Sequence, residues 1–288
     1  MNAPTHSTLG TQRELAVVTG ATGMLGRATA LALAARGAQL VLVARDRAKG
    51  ERLLRELERE AVGGHHRLVI GNLASQADVR RIAAEINEPQ AAIRALVHTA
   101  AALTPSREET ADGYETMFAT NVLSRLLLTH ALRPALARAS KPRVAWVTGP
   151  SPDRLDFDDL MARRRYRTFM QFRATNAANL MLAFTAARAW RDGGLASFAY
   201  HPGILQSDLM KGMPAPVRLL TSPFGRDPRP AAEALADLVW GAHGDEINGA
   251  FFKHARAIKP PAASANEAQQ SRLWIEAHRL LGITASAA

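Results

Sequence analysis

A glycine-spaced turn, Thr19-Gly20-Ala21-Thr22-Gly23-Met24-Leu25-Gly26, separates a short apolar run at 15–18 from a helix-forming stretch that opens Arg27-Ala28-Thr29-Ala30. This arrangement constrains the fold more than any other feature of the chain. A turn without side chains lets the backbone approach a pyrophosphate, whose charge is then met by the unpaired amides and positive dipole end of the following helix. Glycine also serves any tight strand-to-helix turn. Here, however, strand, turn, helix and a second strand follow in order, which favours a nucleotide site with Gly20, Thr22, Gly23, Met24, Leu25 and Gly26 at the phosphates.

The same alternation continues along the 288 residues. Apolar runs at 15–18, 40–43, 68–70, 95–98, 143–147, 197–200 and 250–252 read as strands. Helical spacing fills 24–36, 47–59, 76–86, 107–136, about 168–191, 230–240 and 266–281. Near-continuous apolar strands fit burial on both faces, so the expected fold is α/β, a doubly wound parallel sheet of Rossmann type in a single domain over 14–283. An apolar content of 47% supplies the core. Residues 1–13 are expected to be loose, and 204–229, rich in Pro and Gly, reads as a substrate-loop excursion.

Composition excludes several chemistries. With no cysteine there is no disulfide, thiol nucleophile or thiolate metal site. The adjacent pair His65-His66 lacks the i, i+4 face of helical ligands, so no metal is expected. No apolar run is long enough for a membrane span or a secretion signal, and a cytoplasmic protein is the expectation. The excess of 36 basic over 26 acidic residues, +10 in all, is scattered along the chain and reads as a solvated surface. A nucleic-acid partner is therefore not expected.

The end of the second strand, Val43-Ala44-Arg45-Asp46, bears on cofactor choice. A carboxylate in the first of these places after the strand would bond an unphosphorylated ribose, whereas Ala44 followed by Arg45 leaves room and a planar donor for a ribose phosphate. NADP(H) is favoured over NAD(H). Asn72, with Leu73 after the third strand, is placed either to accept from an adenine amine or to serve its own turn.

With these residues in view, the chain resembles the short-chain dehydrogenase/reductase superfamily from Leu15 to Leu281, and most closely its retinol-dehydrogenase-like branch. Leu96-Val97-His98-Thr99-Ala100-Ala101 is similar to the family's fourth-strand Asn-Asn-Ala-Gly segment, with His98 and Thr99 replacing both Asn residues. Asn121 matches the helix Asn that shapes the family's proton relay. His201-Pro202-Gly203-Ile204 and, further on, Ser207 resemble the segment after the sixth strand whose hydroxyl meets the nicotinamide amide. The resemblance thus implies cofactor contacts from Ala100, Ala101, Pro202, Gly203, Ile204 and Ser207, and a homodimer formed through long helices.

The family's redox chemistry uses a Tyr acid/base, a Lys four residues later and a Ser on the fifth strand. The same resemblance puts Phe172, Asn176 and Gly149 at those positions. Phe172 has no proton to exchange and Asn176 no charge, so the usual carbonyl reduction is not expected. Ser151, which follows Gly149 across Pro150, and Tyr166, six residues before Phe172, are the candidate replacements for the lost hydroxyls. Against them stand turn formation for Ser151 and packing at a helix entrance for Tyr166. His98 is more simply a hydrogen-bonded structural histidine. Of Arg173 and Thr175, only one can face inward. Three functions remain open: isomerase-, cyclase- or lyase-type chemistry on a small molecule with a bound dinucleotide, NADPH-dependent carbonyl reduction with a relocated acid, and a non-catalytic cofactor-binding partner protein.

Overall fold

The computed structural model describes residues 14–60, 65–87, 92–205, 209 and 226–285. Their strands are β1 (Leu15–Thr19), β2 (Gln39–Ala44), β3 (Arg67–Ile70), β4 (Ile93–His98), β5 (Arg143–Val147), β6 (Ala196–His201), β7 (Phe251–Lys253) and β8 (Arg256–Ala257). They form one sheet in the order β3-β2-β1-β4-β5-β6-β7-β8. Every neighbouring pair is parallel except the last, an antiparallel edge made by β7 and β8. The fold is therefore a single Rossmann-like α/β domain. Strand order reverses between β1 and β4, and ligands in open α/β sheets bind at that switch point, beyond the carboxyl ends of the strands.

Helices cover both faces. On one lie α1 (Met24–Ala34), α2 (Arg47–Glu60) and α7 (Arg229–Trp240), packed over Val18, Leu40, Leu42, Val97 and Phe198. On the other lie α3 (Gln76–Ile86), α5 (Ser124–Leu136), α6 (Thr168–Ala189) and α8 (Glu267–Leu281), packed over Val17, Val41, Leu96, Val144 and Trp146. The alternation of β1 side chains between the two cores follows from the two-residue strand period.

Three expectations need correction. The helix expected over 107–136 starts only at α4 (Thr116–Phe118), where the Glu115 carboxylate caps the amides of Met117 and Phe118 at 2.8 Å. The segment before it makes an irregular turn with a Glu109–Glu115 bridge, because capping Glu115 is extended. Between α4 and α5 the helix widens into a π turn, Ala119–Leu123, which periodicity alone does not reveal. The first helix ends at Ala34 rather than at 36, since Gly37 has φ +79° and turns the chain into β2. Residues 1–13, Ser207 and most of the 204–229 excursion lie outside the described residues. The two ends of that excursion meet in a Leu205–Arg226 bridge.

Candidate active site

At the carboxyl end of β1, Gly20 has φ +64°, and a Cβ there would stand 2.6 Å from the Ala100 Cα. Gly26 is equally constrained, since its Cβ would fall 2.7 Å from the Thr99 hydroxyl. Only glycine allows α1 to approach the ends of β1 and β4 this closely. No side chain caps the start of α1 at Gly23. The first amides of the helix, at Met24, Leu25 and Gly26, therefore remain available to an outside acceptor. Thr22 lies beside them and borders an open cleft of about 830 Å³ that continues between α1 and α2 past Arg27, Lys49, Arg52 and Leu53.

Past β2, Ala44 is buried and Arg45 exposed. Asp46 is occupied differently: its Oδ1 accepts from the Lys49 amide at 3.0 Å and caps α2, which holds its carboxyl below the usual range. Asn72 serves its own turn, its Oδ1 accepting from the Ala74 amide at 3.0 Å, and Leu73 is buried in the core.

The π turn aims Asn121 at the irregular segment following β4. Its Oδ1 accepts from the Ala102 amide at 2.7 Å, while Nδ2 donates to the Ala102 carbonyl at 3.0 Å and to Thr175 Oγ1 at 3.3 Å. Thr175 is fully buried on the inner face of α6, and Arg173 points out to Asp153, so of these two it is Thr175 that faces inward. Thr148 Oγ1 lies 3.0 Å from the Asn176 carbonyl and 3.2 Å from its Oδ1. Asn176 Nδ2 in turn sits 3.4 Å from where a Cβ of Gly149 would be. The structure thus brings Gly149, Asn176, Thr175 and Asn121 together beside the ends of β4 and β5.

Phe172 lies one helical turn before Asn176, in a small apolar cluster with Leu103, Met117, Tyr166 and Leu209 that is separate from both main cores. Tyr166 precedes α6 and its hydroxyl is engaged with Thr104, 2.8 Å from Oγ1 and donating to the carbonyl at 3.0 Å. Burial raises its pKa. Ser151 is fully buried and accepts from the Asp153 amide at 3.4 Å, as a turn residue does. His98 is buried against Trp146, its Nε2 2.8 Å from Thr129 Oγ1, and burial holds its pKa well below the ordinary histidine value. Pro202, Gly203 and Ile204 follow β6, with Gly203 at φ +85° and Ile204 exposed.

Arg125 escaped sequence reasoning. It is buried four residues after Asn121 and donates to the Val147 carbonyl at 2.6 Å and the Ala100 carbonyl at 2.7 Å. The available signal was a lone charge inside the apolar run 122–128. Among the described residues there is no cluster of three or more acidic or histidine side chains suited to a metal ion, and no helix is long and apolar enough to cross a membrane.

A family model described as short chain dehydrogenase matches residues 14–216. The chain belongs to the short chain dehydrogenase family. Human retinol dehydrogenase 13 is 28% identical over 284 residues, covering 93% of this chain and 85% of its own length. Human dehydrogenase/reductase SDR family member 13 is 29% identical over 296 residues, covering 98% and 77%. These likenesses support the retinol-dehydrogenase-like branch. Among solved structures, a short chain dehydrogenase from Burkholderia cenocepacia J2315 in complex with NADP superposes with a TM-score of 0.67 at 20% identity, covering 84% of this chain and 96% of that one. An NADPH-bound carbonyl reductase from chicken fatty liver gives a TM-score of 0.64 at 18% identity, covering 86% and 99%.

Proposed function

We propose that this short chain dehydrogenase family member binds NADP(H) and carries out isomerisation, cyclisation or elimination on a small, largely apolar molecule, in place of ordinary alcohol–ketone exchange. The observation that carries the second half is the surroundings of Phe172 and Asn176. A ring in an apolar cluster and an amide bonded to Thr148 stand where the family's resemblance calls for a phenol and an ammonium.

The glycine cradle and the uncapped start of α1 fit a pyrophosphate. Arg45 is exposed without a carboxylate partner among the described residues, while Asp46 is committed to capping α2. This leaves the guanidinium for a ribose phosphate; in the neighbouring cleft Arg27 is already paired with Glu56 and Lys49 with Asp46. Ala100, Ala101, Asn176, Pro202, Gly203 and Ile204 border the remainder of the cofactor path. When bound, such a dinucleotide supplies hydride transfer.

The chain's own groups at the centre, Asn121, Thr148, Thr175 and Asn176, orient a polar substrate atom through neutral hydrogen bonds and exchange no proton near neutral pH. The cluster of Leu103, Met117 and Phe172 excludes water beside them. Tyr166 is the obvious relocated acid, but its proton is given to the Thr104 carbonyl.

Titration with NADPH, NADP⁺ and NADH tests the cofactor half. NADPH is expected to bind more tightly than NADH, and Arg45→Ala is expected to weaken NADPH by about 1.5–3 kcal/mol, the worth of a charged hydrogen bond, while leaving NADH unchanged. Equal affinities would overturn it. The chemical half is tested by a carbonyl-reduction screen of the wild-type protein beside the Gly149→Ser/Phe172→Tyr/Asn176→Lys variant. A serine Cβ meets only ordinary contacts at 149. Reductase activity should appear only in the variant, by about 10²-fold or more. Wild-type NADPH turnover that vanishes in Tyr166→Phe would establish a reductase with a relocated acid instead.

A further inference from the structure

Arg125 is the one fully buried cation at the sheet's carboxyl edge among the described residues, and no carboxylate answers it. Its partners are two backbone carbonyls, Ala100 and Val147, and its Nε has none. Buried Glu115 is already taken by the Met117 and Phe118 amides and by Gln171 Nε2 at 2.8 Å. Burial lowers the guanidinium pKa to about 9, which leaves it charged at neutral pH.

Joining the ends of β4 and β5 does not require a charge, since a neutral amide would donate to the same carbonyls. Burying a cation without a carboxylate is costly, and a charge kept in such a place is a candidate for one whose field is used. The field falls on the centre described above. Arg125 lies about one turn along the helix from Asn121. It grips the carbonyl of Val147, two residues before Gly149, and that of Ala100, which packs on Gly20. The neighbouring titratable group, His98, feels the same charge, which lowers its pKa further after burial. Asn176 leaves the opposite wall without the ammonium the family resemblance calls for.

We propose that Arg125 is the cation of this site and biases it toward the uncharged, reduced nicotinamide of NADPH over the positively charged ring of NADP⁺. It acts through its field and touches neither cofactor nor substrate. The inference rests on the proposed NADP(H) binding, and one experiment separates the two.

Dissociation constants for NADPH and NADP⁺ are measured at fixed ionic strength on the wild-type protein, Arg125→Lys and Arg125→Gln. The preference for NADPH should persist in the lysine variant. In the glutamine variant it should shrink by about fivefold or more, through tighter NADP⁺ binding, the order of effect expected of one unit charge in a medium of intermediate dielectric. Should the glutamine variant not fold, Arg125→His at about pH 8, where the imidazole is neutral, takes its place. A purely structural role would weaken both ligands alike, and an unchanged ratio overturns the proposal while the cofactor assignment stands. A wild-type protein that binds neither ligand overturns both.

Discussion

Gly20 shows how closely one residue ties the fold to the site. It combines a positive φ of +64° with a backbone approach to Ala100 that leaves no room for a Cβ. Gly20→Ala is expected to cost about 1–3 kcal/mol of stability, read by thermal unfolding, and to lower dinucleotide affinity in titration as the turn opens. The glycine turn was legible because glycine spacing is a local signal. The fate of Tyr166 was not. It offers the site a hydroxyl in the sequence but donates it to the Thr104 carbonyl, a partner 62 residues away that only the folded chain supplies, whereas Ser151 and Asn72 take the local turn bonds the sequence already allowed them.

At the scale of elements, α8 is held to α5 and α6 by aromatic contacts that no periodicity announces. Trp274 meets Trp190 edge-on, and His278 meets His130 with ring centroids 6.0 Å apart. His278 Nδ1 donates to the Trp274 carbonyl at 2.7 Å, leaving its Nε2 and the His130 Nδ1 buried without partners. Burial first, and then Arg133 with Arg80 or the other histidine, holds both pKa values below the ordinary 6.5. Below about pH 6.5 the unfolded chain therefore binds protons that the folded chain refuses, and stability falls as pH drops through that window. A lower melting temperature at pH 5.5 than at 7.5, with a smaller difference in His130→Gln/His278→Gln, is the expected outcome. Trp274→Ala should cost about 3–5 kcal/mol in denaturant unfolding, because its ring is almost wholly buried.

Across the whole molecule, the +10 charge finds internal uses as well as surface ones. Arg143 donates to the carbonyls of Leu238, Gly241 and His243, and Arg94 to that of Trp240, so two guanidinium groups finish the carboxyl end of α7. Arg80 does the same at Leu281 of α8. Arg143→Ala strands one buried and two part-buried acceptors and is expected to destabilise the protein by about 1–3 kcal/mol, measured by chemical denaturation. The family resemblance leads us to propose a homodimer; light scattering should return the mass of two chains, and the mass of one would refute it.

By itself the sequence determined the Rossmann-type layering, the tight glycine turn after the first strand and the family, because these rest on strand and helix periods and on glycine spacing, which are properties of short stretches of chain. The π turn that aims Asn121, the Thr104 partner that occupies Tyr166, and the burial of Arg125 were decided only by tertiary structure. Each depends on a contact between residues far apart in sequence, and a hydrogen bond or a desolvated charge has no signature until both sides are in place.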